Sequence, residues 1–176
     1  SKVAKAYPSP DFIEISENLL RMKVNLKTGH KTGFFLDQRE NRLTLSQYCH
    51  GKEVLDCFCY TGGFSISAML AGAKSASAID LDEKALETAR ENARLNSANV
   101  TFQHVNAFDH LRMMISKGMQ ADIVILDPAK LAGCTEEINR AHRTYGDINK
   151  LGMQVVSPGG ILLTCSCSGL ISEMDF

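Results

Sequence analysis

The segment Val54-Leu55-Asp56-Cys57-Phe58-Cys59-Tyr60-Thr61-Gly62-Gly63-Phe64 restricts the fold more than any other part of the chain. Its apolar start reads as a buried strand with Asp56 at the carboxyl end, and a Thr-Gly-Gly turn leads into an apolar helix from about Phe64. A strand, a glycine turn and a helix in that order bring backbone N–H groups close to a bound ligand. Eighteen residues past Gly62, Asp80 closes a second apolar run, Ala76 to Ile79. An acid about 20 residues beyond such a turn is placed to hold a ribose through its hydroxyls. The expectation is a nucleoside-containing cofactor on a doubly wound α/β sheet. The two glycines are adjacent, so the turn is not a GxGxxG dinucleotide fingerprint, and the chain has no GxxxxGK[ST] phosphate loop. Without a phosphate cradle, S-adenosylmethionine (SAM) suits the turn better than NAD or ATP. The competing reading is a glycine pair that only ends a strand.

The pattern continues downstream. Strands are predicted over 52–57, 75–80, 100–104, 122–126 and 161–164. Helices are predicted between them over 64–71, 82–95, 107–117 and about 135–156, the last stopped by Ser157-Pro158-Gly159-Gly160. Ala85, Leu86, Ala89 and Ala93 share one helical face. Such alternation implies a Rossmann-like α/β fold, a mostly parallel sheet with right-handed crossovers and helices on both faces. Ligands of such sheets lie beyond the carboxyl ends of the strands, where Asp56, Asp80, Asn106, Asp127 and Cys167 all fall. Upstream, Phe12–Ile15 and Met22–Leu26 alternate as a β-hairpin would, and Thr28–Gly33 is a glycine-bounded loop. Asp37 is placed to cap a helix running to about Tyr48. Residues 1–10, with Pro8 and Pro10, read as linker, so 1–35 form a linker and hairpin appendage and 36–176 the main domain.

A net charge of −1 over 176 residues gives no global basic field, so any nucleic-acid surface must be local. Arg21, Lys23, Lys27, His30, Lys31, Arg39 and Arg42 supply one local bias; a solvated face is the alternative. Six cysteines without a secretory signal or a long apolar span suit a cytoplasmic protein with reduced thiols and no membrane partner. Cys57-x-Cys59 and Cys165-x-Cys167 lie at predicted strand ends, but C-x-C is not the usual zinc spacing and no histidine pair accompanies it, so no metal is expected. His30, His50, His104, His110 and His142 fit neither a metal set nor a triad.

Four separated motifs resemble one family in the right order. They are Gly29-His30-Lys31-Thr32-Gly33-Phe34-Phe35-Leu36-Asp37-Gln38-Arg39-Glu40-Asn41-Arg42, the loop Asp56 to Ser65, Asp127-Pro128-Ala129-Lys130-Leu131, and Ser166-Cys167-Ser168-Gly169-Leu170. The family is the large-subunit ribosomal RNA 5-methylcytosine methyltransferases, of the class I SAM-dependent type, and the resemblance covers nearly the whole chain. It implies SAM as cofactor and ribosomal RNA as partner. The family usually carries an N-terminal RNA-binding PUA domain, which is not present ahead of Ser1, and an antiparallel strand pair after the cysteine motif, for which Phe176 comes too early. The chain is therefore expected to be a catalytic-domain fragment, and a bare edge at strand five would favour a homodimer or wider self-association. Ala129 stands where the family has a second proline.

The resemblance assigns chemistry. Cytosine C5 is a poor nucleophile until a thiolate adds to C6, so an exposed, activated cysteine is required. Cys167 matches the family's nucleophile. Cys165, two residues earlier and on the same side by parity, is its rival, and two small buried strand cysteines are the plain alternative. Asp127 would face the Watson–Crick edge of a flipped base, or else cap a turn. Lys130 would tune the nucleophile, touch phosphate or lie on the surface. For SAM, the implied contacts are Gln38 and Arg39 closing over it, Asp56 near its ammonium, and the loop Tyr60, Thr61, Gly62 and Gly63. Asp80 would take the ribose, Asn106 and Ala107 the adenine end, and Asp127 the reacting end. Arg39 has a helix-face ion pair as its alternative, and Phe108 a place in the core. Tyr145 and Asp147 would line an RNA groove or simply continue a helix. Two rival functions remain: guanine-N7 methylation, which needs no thiol, and a SAM- or RNA-binding module without turnover.

Overall fold

The computed structural model describes residues 10–27, 33–172, 174 and 176. The hairpin consists of β1 (Phe12–Glu17) and β2 (Leu20–Asn25), antiparallel with Phe12 opposite Asn25. Most of the predicted glycine loop, residues 28–32, lies outside the described residues. A 3-10 turn, Leu36–Gln38, runs into α1 (Arg39–Ser46). Asp37 falls inside that turn and caps nothing with its side chain, contrary to expectation, because the chain begins to coil at Leu36.

The main sheet contains β3 (Glu53–Cys57), β4 (Ser75–Asp80), β5 (Val100–His104), β6 (Ala121–Leu126) and β7 (Val156–Thr164), in the order β5-β4-β3-β6-β7. All four pairings are parallel. The crossovers carry α2 (Gly63–Leu70), α3 (Glu83–Leu95), α4 (Ala107–Ser116) and α5 (Ile138–Val155). Parallel strands covered on both faces must be apolar on both, and β3 and β6 are. Leu55, Cys57, Val124 and Leu126 pack with Leu111, Met114, Ile148 and Val155 of α4 and α5. Val54, Ile123 and Ile125 pack with Leu45 of α1 and with Phe64 and Ala68 of α2. The hairpin shares a core with the domain, Leu20, Met22 and Val24 meeting Phe34, Ile66 and Ala93.

Strand β7 begins five residues earlier than expected. Ser157-Pro158-Gly159-Gly160 belongs to the strand, with a register shift between Ala121 and Ile123 of β6. An edge strand tolerates a proline at an irregularity, which is why a stop signal sits inside it. Among the described residues, no helix is long and apolar enough to cross a membrane.

Candidate active site

After β3 the chain runs outward to β4 and β5, then returns across β3 to β6. The switch point between β3 and β6 opens a crevice at the carboxyl ends of the strands. A cleft of about 420 Å³ lies there, lined among others by Phe34, Phe35, Gln38, Arg42, Tyr60, Gly63, Asp80, Asp127 and Cys167.

The loop leaving β3 is held in an uncommon conformation. Phe58 and Tyr60 have φ of 64° and 49°, and Gly62 has φ of 85°. Positive φ at two aromatic residues is costly and persists only where the surroundings over-determine it. Here Cys59 N–H donates to Ile79 O at 3.0 Å and Tyr60 N–H to Asp80 Oδ2 at 2.8 Å. Asp80 Oδ1 accepts from Asp82 N–H at 2.9 Å, while Asp82 caps α3 through Lys84 and Ala85 N–H. Asp80 thus shapes the loop and faces the cleft together. A side chain on Gly63 would stand 3.5 Å from Arg42 Cδ and 3.6 Å from Phe34, in ordinary contact with the cleft wall.

Asp56 lies beneath the cleft, 1% exposed. Its Oδ2 accepts from Ser65 N–H at 3.0 Å, and its Oδ1 is buried with no hydrogen-bond partner among the described residues. Burial, opposed by the Ser65 hydrogen bonds and reinforced by the nearby charges of Asp127 and Asp80, pushes this carboxyl up to about 7. An orphaned carboxylate oxygen beside two further acids is a site that a cation would satisfy.

At the other wall, Gln38 Nε2 donates to Asp127 Oδ1 at 3.3 Å, and Gln38 Oε1 receives Asn41 Nδ2 at 2.7 Å. Cys167 is exposed, lines the cleft, and directs Sγ to Pro128 O at 3.8 Å. Cys165 is half-buried, with Sγ 3.9 Å from Gln38 Oε1, and burial followed by the Asp127 charge pushes its thiol up to about 12. A thiol in that state is a poor nucleophile at neutral pH. Cys57 and Cys59 are buried in separate clusters with strongly raised thiol pKa values, an arrangement unsuited to a shared thiolate site. Among the described residues, no group of three or more histidines, cysteines or acids is set to hold a metal.

Gln38, Tyr60, Thr61, Gly63, Asp80, Asp127, Lys130 and Cys167 come together in the cleft. Five expected contacts do not line it: Asp56, buried beneath it, and four others. Arg39 points to solvent and pairs with Glu40 at 2.9 Å, the helix-face alternative. Asn106 spends its side-chain oxygen capping α4, accepting from Phe108 and Asp109 N–H. Ala107 is buried in the α4 core, and Gly62 supports the turn from below, close to Ile66 and Ala89. Phe108 packs against the core with Arg112 over its ring.

Arg42, counted above among the basic surface residues, is 4% exposed. Its Nε and Nη2 donate to Glu17 at 2.8 and 2.7 Å, and Nη1 and Nη2 donate to Phe35 O at 3.1 Å. Its guanidinium also lies 4.5 Å from the centre of the Phe34 ring. It clamps the hairpin to α1 and holds Phe35, whose ring meets Tyr60 edge-on at 5.3 Å across the cleft mouth. Arg21, Lys23 and Lys27 likewise pair with Glu14, Glu91 and Asp11, so the local basic bias is largely neutralised. His30 and Lys31 lie outside the described residues. The aromatic and arginine lining went unread, although Phe34, Phe35 and Arg42 all stand in the first quoted motif.

The family model for S-adenosylmethionine-dependent methyltransferases matches residues 7–176. The chain belongs to that family. Its relatives include the Ribosomal RNA large subunit methyltransferase I of Aeromonas hydrophila, 46% identical over 160 residues, spanning 89% of this chain and 40% of that protein. The protein of the same name from Pseudoalteromonas atlantica is 47% identical, over 92% of this chain and 42% of its own length. The chain thus spans about two fifths of these relatives. Among solved structures, the methyltransferase SMU.776 complexed with SAH superimposes with a TM-score of 0.87 at 25% identity, over 98% of this chain and 46% of that one. A SAM-dependent methyltransferase from Agrobacterium tumefaciens shares the fold, with a TM-score of 0.78 at 21% identity over 90% of this chain and 53% of its own. SAM is the cofactor of this methyltransferase domain, and the cleft offers groups that fit it: loop backbone and the Asp80 acid, aromatic walls, and the Asp56 carboxyl beneath.

Proposed function

We propose that this domain methylates C5 of a cytosine in large-subunit ribosomal RNA, with Cys167 as covalent nucleophile and Asp127 orienting the base. The observation that carries the proposal is the meeting of an exposed thiol and a carboxylate in the cleft bounded by the Tyr60–Gly63 loop. The names of the relatives supply the RNA class. A cytoplasmic location follows from that substrate and from the free thiols.

Cys167 Sγ adds to C6, and the displaced electron pair makes C5 nucleophilic. SAM, when bound, would supply the electrophilic methyl group that C5 takes, its S–CH3 bond breaking to leave S-adenosylhomocysteine. A base then removes the C5 proton, the C6–Sγ bond breaks, and Cys167 leaves as thiolate. Asp127, held by Gln38, accepts from the cytosine N4 amine when ionised or donates to N3 when protonated. Asp80 holds the ribose, and Asp56 answers the cofactor's ammonium from below. The thiol of Cys165, pushed up to about 12, makes it the weaker candidate.

The test is nucleoside mass spectrometry of unmodified ribosomal RNA incubated with SAM and the chain, beside Cys167→Ala. 5-Methylcytosine that disappears in the variant is expected. A methylated guanine insensitive to the variant moves the protein to the thiol-free branch. SAM binding without any product supports a binding module.

A further inference from the structure

Thr164-Cys165-Ser166-Cys167-Ser168 alternates hydroxyl and thiol side chains, and the hydroxyls all engage α5. Thr164 Oγ1 donates to Asn149 Oδ1 at 2.6 Å. The Tyr145 hydroxyl lies 3.1 Å from Ser166 Oγ and 3.2 Å from Ser168 Oγ. Tyr145 and Asn149 are four residues apart and share a helix face. The two thiols between them reach Gln38 and Pro128 instead, residues of the cleft wall.

The same hydroxyls bind the loop that carries Asp127. Ser168 Oγ accepts from Leu131 N–H at 3.1 Å and from Ala132 N–H at 3.2 Å. With both lone pairs engaged, its own proton is directed to the Tyr145 oxygen. Tyr145 and Ser168 are 3% and 2% exposed, so water does not replace these bonds cheaply. The Phe176 ring covers Tyr145 edge-on at 5.1 Å. Ser168 therefore ties the loop after β7 to the loop after β6, and the Tyr145 phenol anchors that hydroxyl to α5.

We propose that Tyr145 is a positioning residue for the Cys167 thiol, acting through Ser166 and Ser168 to hold it against the Asp127–Ala132 loop. The proposal rests on the thiol mechanism above. Its test uses RNA carrying 5-fluorocytidine. After addition and methyl transfer, the fluorine at C5 cannot leave as a proton does, so the C6–Sγ adduct persists and can be counted on a denaturing gel. Wild type, Tyr145→Phe, Ser168→Ala and the double variant are compared for adduct rate at saturating RNA, half-saturating RNA, SAM affinity and melting temperature.

Tyr145→Phe should slow adduct formation about tenfold or more, the order expected when a reacting group is displaced by a fraction of an ångström. Half-saturation and SAM affinity should be unchanged, and the double variant should be no slower than the slower single one, because both remove the same link. An unchanged adduct rate with a lowered melting temperature would leave Tyr145 a structural residue only and overturn the proposal. Parallel loss of SAM affinity would overturn it too, as general disorganisation. Wild-type protein that transfers methyl groups without trapping defeats the thiol reading itself, and the positioning role with it.

Discussion

Asp56 places an acid at the end of β3 with one oxygen satisfied by Ser65 and the other by nothing among the described residues. Its carboxyl is raised to about 7 chiefly by burial, against about 3.9 for an exposed aspartate. The folded state therefore holds the proton more tightly than the unfolded chain. The resulting stabilisation is complete below about pH 4 and disappears as pH rises toward 7, by on the order of 1.4 kcal/mol per unit. Asp56→Asn does not titrate. In urea unfolding of the ligand-free protein, the stability of wild type relative to the variant should fall between about pH 4 and pH 7. A difference that stays flat over that range would mean that Asp56 is ionised throughout. A cofactor ammonium beside Oδ1 would remove the cost of ionisation, so SAM should bind wild type better than the variant at pH 8.

At the scale of elements, β7 carries two burdens. Its carboxyl end leads into the segment that carries Cys167 to the cleft, while among the described residues its outer side has no paired strand. Ile161, Leu162 and Leu163 are only half-buried along that edge. An unpaired apolar edge is a template for another chain, and a proline or a bulge is how such edges are blunted. Pro158 and the irregular pairing protect only the start of the strand. The expected result is concentration-dependent self-association through β7, seen as a rising mean mass in light scattering. A constant monomer mass at high concentration would count against it. Gly160 is demanded at this point by close approach, because a Cβ there would strike Asp122 O and stand 2.8 Å from Val156 Cγ1.

Over the whole molecule, the cleft is assembled from segments that follow β3, β4, β6 and β7 together with the turn before α1, so one ligand ties most of the fold together. A ligand at 100 times its Kd stabilises the native state by about 2.7 kcal/mol. For a chain of 176 residues that corresponds to a rise in melting temperature of roughly 5–10 °C. Saturating S-adenosylhomocysteine should produce such a rise in wild type and little of it in Asp80→Ala, which loses both the acceptor for Tyr60 N–H and the acid at the cleft. An equal shift in the variant would remove Asp80 from the binding site.

The order of the elements was legible in the residues alone, because each is written in a local pattern. Alternation marked the hairpin, short apolar runs marked the strands of the main sheet, and Ala85, Leu86, Ala89 and Ala93, all buried, marked the inner face of α3. The sequence also located Asp56, Asp80, Asp127 and Cys167 at one end of the sheet, since parallel strands share their carboxyl ends. Which of two arginines one helical turn apart is buried was settled by the three-dimensional packing. Arg42 meets Glu17, 25 residues away, whereas Arg39 meets solvent and Glu40. That packing likewise gave the Asn106 amide to a helix cap, separated Cys165 from Cys167 by burial, and brought Tyr145 to Ser168 across 23 residues. Each of these turns on which partner lies across the core and on how much water reaches the group, and neither quantity has a local period along the chain.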